Sequence, residues 1–92
     1  MAHTIQDKQK LLHRVRRIRG QVEAIEKALE AEQDCDTMLQ TIAACRGAMN
    51  ALMCELIRGH ILHHVHDARK PLTAEQSRAT ETLLDVIRAY LK

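Results

Sequence analysis

The chain has 92 residues, enough for one domain and too few for two cores. It is 46% hydrophobic and carries a formal net charge of +2, with Phe and Trp absent and Tyr90 as its one aromatic residue, so the interior must be aliphatic. No apolar run approaches the roughly 20 residues of a membrane span, no apolar signal-peptide segment opens the chain, and three cysteines without a CxxC pair do not make a disulfide framework. These features exclude membrane and secreted classes and point to a cytoplasmic protein.

The periodicity predicts a first helix over 7–31. Leu11, Val15, Ile18, Val22, Ile25 and Leu29 recur at alternating steps of four and three, the spacing of a packed seam. From Lys8 to Arg19 the same stretch holds six basic residues, Lys8, Lys10, Arg14, Arg16, Arg17 and Arg19, and no acid; the acids resume at Glu23. An acid-free basic block on an otherwise balanced chain points to a polyanion partner. The competing reading is a solvated helix face, which ordinarily mixes both signs of charge. On this phase Lys10, Arg14 and Arg17 form a stripe away from the seam, with Arg16 beside it.

Glu32, Gln33 and Asp34 read as a connection, with Asp34 or Asp36 as N-cap of a second helix over 35–65. Met38, Ile42, Cys45, Met49, Leu52 and Leu56 give this helix a seam, and Leu39, Ala43, Met53, Ile57 and Ile61 a second apolar row. Apolar rows on more than one face place it centrally, and Ala43, Ala44, Gly47, Ala48 and Ala51 permit close helix approach. Gly59 is a candidate C-cap, but Ile61, Leu62 and Val65 continue the apolar character and the first proline is Pro71, so continuation is expected. Thr73 with Gln76 has capping-box form and opens a third helix over 74–91, with Ala79, Leu83, Val86 and Tyr90 as its seam. The fold expected is all-α, a three-helix protomer of an obligate helical oligomer.

Candidate metal ligands follow from this arrangement. His60 and His64 lie four apart, on one face of a helix, and can aim two imidazoles at one ion; a bland pair of surface histidines is the alternative, and His63 and His66 nearby weigh against it. Cys35 precedes His60 by 25 residues of predicted helix, which at 1.5 Å per residue is about 37 Å. Metal–ligand bonds are only about 2.0–2.3 Å long. If the three share an ion, the thiolate must come from an antiparallel second copy of the chain. A break at Gly47 could also fold Cys35 back within one chain, but no turn residues surround it. Cys45 falls on the seam and reads as packing, as does Cys54, although its place one turn before Arg58 leaves a reactive role open. Removal of Met1 before the small Ala2 would leave a free amine beside His3, and an amine with an imidazole can chelate. No phosphate loop, nucleophile elbow or HExxH motif is present, so an enzyme is not expected.

Several segments carry a resemblance: His3-Thr4-Ile5 through Lys8, the run from Arg14 to Gln21, Ile42-Ala43-Ala44 with Arg46-Gly47-Ala48, and Leu52-Met53 through Gly59-His60. With them the chain resembles the CsoR/RcnR family of all-helical metal-sensing transcriptional repressors over nearly all of its length. His3, Cys35, His60 and His64 at the family's ligand positions look like the nickel/cobalt branch; the copper branch has cysteine where His64 stands, in keeping with soft Cu(I). The formaldehyde-responsive branch is similar in Cys35 and His60 but typically has a proline after Met1, where this chain has Ala2. The resemblance implies a dimer of antiparallel helical hairpins, a four-helix bundle, paired into a tetramer without a helix-turn-helix. It further implies an apo form that binds operator DNA and a Ni(II)- or Co(II)-bound form that releases it to derepress efflux genes, with Zn(II) as another possible effector. Lys8, Lys10, Arg14, Arg16, Arg17 and Arg19 are the expected DNA contacts. Two alternatives stand beside this reading: a repressor of the same fold sensing formaldehyde or another electrophile at Cys35, and a helical metal buffer or chaperone that never touches DNA.

Overall fold

The computed structural model describes residues 7–65 and 69–91, the side chain of His64 excepted. Helix α1 spans Lys8–Glu30, α2 spans Cys35–His60 and α3 spans Ala74–Tyr90, with a π-helical turn at Ile61–Val65 directly after α2. No strand occurs among the described residues. The expected His3 ligand, with the Ala2 amine, lies outside the described residues.

Local chemistry sets the element ends. Helix α1 closes in a Schellman motif, in which the Gln33 N–H donates to the Ala28 carbonyl at 3.0 Å and the Glu32 N–H to Leu29 at 3.2 Å. Glu32 takes the left-handed position of that motif, at φ 54°, where glycine is the usual occupant. Two residues later Asp34 caps α2, its carboxylate accepting from the Thr37 N–H at 2.7 Å. Helix α2 then runs without a break through Gly47 and Gly59, and neither glycine has a positive φ. Its hydrogen-bonding pattern widens only after His60, so His64 sits in a π turn rather than in the α-helix expected through residue 65. Thr73 and Gln76 form both bonds of a capping box, each at 3.0 Å, at the start of α3.

Two sets of contacts orient the helices. Lys10 Nζ lies 3.6 Å and Arg14 Nη2 4.0 Å from the Glu55 carboxylate, so the start of α1 runs beside the C-terminal half of α2 and the two form an antiparallel hairpin. Asn50 Nδ2 donates to the Leu91 carbonyl at 2.7 Å, and Arg58 Nη1 lies 2.6 Å from Glu81. Helix α3 is therefore also antiparallel to α2, against its C-terminal half. Helix α2 is in the middle, as its several apolar rows require.

The helices form a single layer. The principal extents are 54 × 27 × 14 Å, and the radius of gyration is 16.9 Å where a compact chain of this length has about 12 Å. The chain exposes 7025 Å², against about 5,400 Å² for a compact monomer of its mass. Its interior is correspondingly slight: among the described residues Ala28, Cys54, Ile61 and Leu84 are the buried apolar side chains, and only Leu84 is fully enclosed.

The phase of the hairpin differs from the expected seam. Helix α1 turns Leu11, Arg14, Ile18, Gln21, Ile25 and Ala28 inward, and leaves Val15, Val22 (52% exposed) and Leu29 (61%) uncovered. Helix α2 likewise turns Thr41 and Ala48 inward and leaves Ile42 and Met49 exposed. Both apolar arcs are wider than the hairpin contact uses. Each helix is rotated so that half of its arc meets its neighbour and half remains on one face of the layer.

Candidate functional site

Cys35 is the first residue of α2 and is exposed; His60 is its last and is exposed as well. The helix between them has 26 residues, which separates the two ends by about 37 Å. Within one chain the structure therefore does not bring Cys35 and His60 together, and no three metal-ligating side chains converge among the described residues. The Asp34 cap fixes the turn that carries Cys35, and the two hydrogen bonds from Thr37, backbone and side chain, hold the Asp34 carboxyl below its ordinary value. At the other end His63 is half-buried in the π turn. Cys45 is half-buried within the hairpin, and Cys54 is buried where α3 packs on α2, both in keeping with packing.

The donor set itself suits a first-row divalent ion. One thiolate with imidazole nitrogens is a borderline combination, softer than the oxygen sites of Mg(II) and harder than the thiolate sites of Cu(I). The residues fit the ion only when the Cys35 end of one chain meets the His60 end of another.

The basic block divides in two. Lys8, Arg16, Arg17 and Arg19 are exposed and make no ion pair among the described residues. Lys10 and Arg14 instead lean on Glu55, and Arg14 is half-buried between α1 and α2. Arg14 thus lies on the inward row rather than on a stripe away from the protein, because the hairpin contact is rotated from the apolar seam. Glu55 escaped the sequence reading: only the antiparallel register shows that an acid in α2 faces cations 41 and 45 positions earlier in the chain.

A groove of about 310 Å³ separates α1 from α2 on this side, lined by Arg14, Arg17, Gln21, Ala44, Ala48 and Ala51. The Gln21 Oε1 atom is buried and has no hydrogen-bond partner among the described residues. A second groove, of about 290 Å³, has Cys54, Asn50 and Leu91 in its wall and includes the Glu55 carboxylate.

A family described as metal-sensitive transcriptional repressors matches residues 7–89. The chain belongs to that family. It is 44% identical over 92 residues to a protein of Escherichia coli O139:H28 named as a transcriptional repressor RcnR homolog, with both chains covered in full. It is 48% identical over 93 residues, again over the whole of both chains, to an uncharacterized protein of Serratia marcescens in a bioA 5′ region. Among solved structures it superposes on the E64H variant of the formaldehyde-responsive regulator FrmR from Salmonella enterica serovar Typhimurium, at a TM-score of 0.66 and 44% identity, covering 92% of this chain and 94% of that one. The family establishes the broad class, a transcriptional repressor with a metal effector, and the neighbour shares the three-helix, strand-free fold. No helix of the described residues is long and apolar enough to cross a membrane.

Proposed function

We propose that this repressor binds operator DNA in its metal-free form and releases it when Ni(II) or Co(II) binds a site shared between two chains of a cytoplasmic homo-oligomer. One observation carries the reading. An unbroken α2 holds Cys35 and His60 at its opposite ends, so a site that uses both must take them from different chains.

The single-layer shape supports the same conclusion. Domains bury apolar faces between at least two layers, and this chain leaves Val15, Val22, Leu29, Ile42 and Met49 exposed. A second copy laid antiparallel on that face supplies the missing layer, completes a four-helix bundle and brings each Cys35 toward the other chain's His60 and His64. Pairs of such dimers make the tetramer. Helix α1 also begins beside the C-terminal half of α2. His3 and the Ala2 amine are the remaining proposed ligands.

A bound ion supplies a cross-link between the start of one α2 and the end of another. Such a link changes DNA affinity only if the two chains sit differently with and without it, and the coupling then acts in both directions. Lys8, Lys10, Arg14, Arg16, Arg17 and Arg19 supply the DNA contact. With Tyr90 as the one aromatic and no stacking platform, that contact rests on phosphates and groove edges.

The 44% identity to a formaldehyde-responsive regulator supports a second reading, in which an electrophile at the exposed Cys35 is the signal. The deciding experiment titrates the metal-free protein, bound to DNA from upstream of its own gene, with Ni(II), Co(II), Zn(II), Cu(I) and formaldehyde in parallel. The proposal expects release by Ni(II) or Co(II), with a thiolate-to-Co(II) charge-transfer band that is lost in Cys35→Ala and kept in Cys45→Ala. Strong d–d bands of the Co(II) form would indicate four ligands and favour Zn(II). Release by formaldehyde while every metal leaves the complex intact overturns the metal reading.

A further inference from the structure

The groove between α1 and α2 combines three features. Its rim carries Arg14 and Arg17, and no acid lines it. Its α2 wall is Ala44, Ala48 and Ala51, so no side chain longer than a methyl group projects into it from that helix. The amide of Gln21 lies in the same groove with Oε1 buried and without a partner among the described residues. A buried acceptor without a donor is costly and calls for a partner.

The orientation of the groove matters as much as its lining. On α1, Arg17 lies to one side of the inward residues, next to Arg14 and Gln21, while Val15 and Val22 lie to the other side, next to Leu11 and Ile18. On α2, Ala44 and Ala51 stand in the same relation to Ile42 and Met49. The groove therefore opens on the face of the layer opposite the exposed apolar residues. A copy docked on the apolar face leaves it open.

We propose that this groove seats a single phosphate of the DNA backbone, clamped by Arg14 and Arg17, and that Gln21 is a positioning residue for Arg17; the inference rests on the DNA-binding reading above. A guanidinium has five N–H donors. It can hold a phosphate with one edge and donate to the Gln21 oxygen with the other, which gives the buried acceptor its partner when DNA is bound. Arg17 is exposed and makes no ion pair among the described residues. Among the described residues Arg14 has one ion pair, a 4.0 Å contact to Glu55, so both cations are available. The alanines have a steric role: a phosphate between two helices needs clearance, and a longer side chain at position 44 would occupy it.

The test uses the full chain with two labelled duplexes, one from upstream of its own gene and one unrelated of equal length, across a salt series. Leucine at the exposed, helical position 44 is compatible with the fold, which circular dichroism and gel filtration check. Ala44→Leu should weaken binding to both duplexes at least tenfold. It should also flatten the dependence of log affinity on log salt by the same amount as Arg17→Ala, about 0.9 for each phosphate lost. Gln21→Leu, which keeps bulk and removes the acceptor, should weaken binding less, and adding Arg17→Ala to it should cost less than Arg17→Ala alone. Unchanged affinity and slope in Ala44→Leu, with Arg17→Ala still impaired, would overturn the groove as the phosphate seat while leaving the DNA interface in place. Unchanged binding in Arg14→Ala and Arg17→Ala as well would overturn both.

Discussion

Asp34 fixes the start of α2, and Glu55 ties the start of α1 to the C-terminal half of α2. Asp34 caps the turn that begins with Cys35, and its carboxyl is held below the ordinary value of 3.8 by hydrogen bonds from Thr37. A group with a depressed folded-state pKa stabilises the fold above its unfolded value, and that contribution is lost as pH falls through the folded value. Thermal melts from neutral to acid pH should therefore show a loss of stability below about pH 3.8 that Asp34→Asn, a neutral capping residue, reduces. Asp34→Ala should lower the melting temperature at neutral pH and fray the turn that presents Cys35. Glu55 draws Lys10 and Arg14 to itself, and partly exposed pairs of this kind are worth about 0.2–1 kcal/mol. Glu55→Gln should release both cations and remove a repelling charge, so DNA affinity should rise about two- to fivefold at low salt, with a steeper salt slope by fluorescence anisotropy.

At the scale of elements, the hairpin turn stores a small strain. Glu32 occupies the left-handed position of the Schellman motif at φ 54°, a conformation that costs an L-residue roughly 1–2 kcal/mol and glycine little. Glu32→Gly should raise stability by about 1 kcal/mol in denaturant melts, without moving Cys35, because Asp34 still caps α2. Most of the element scheme was legible beforehand. Asp34 as a cap, the Thr73–Gln76 capping box and the passage of α2 through Gly47 and Gly59 all follow from local chemistry within a few residues. The π turn at Ile61–Val65 was not legible, because the apolar residues Ile61, Leu62 and Val65 satisfy an α-helical pattern equally well.

The whole molecule is a single layer with apolar residues exposed on one face, and in the proposed dimer the metal site is shared in the same way as the core. Cys35→Ala homodimers and His60→Ala/His64→Ala homodimers should each fail to bind metal tightly. In a mixed dimer of the two variants one site loses all three ligands, and the other, across the two-fold axis, keeps every one. Subunit exchange between the two variants should therefore restore about one tight Co(II) site for each heterodimer, read from the thiolate charge-transfer band. No recovery after proven exchange would place Cys35 and the histidines in separate sites and remove the shared centre.

Periodicity and composition by themselves pointed to three helices and to a second helix long enough to keep Cys35 and His60 far apart, which the structure ends at His60 after 26 residues. These depend on near neighbours in the chain and on helix rise. The tertiary structure decided which half of each apolar arc meets its neighbour. It placed Arg14 inside the hairpin beside Glu55 and opened the alanine-walled groove beneath Arg17. A wheel of side chains defines an apolar arc but no rotation within it. Only the packing of α1 and α3 against α2 selects that rotation, and with it which apolar residues stay exposed on one face and which groove opens on the other.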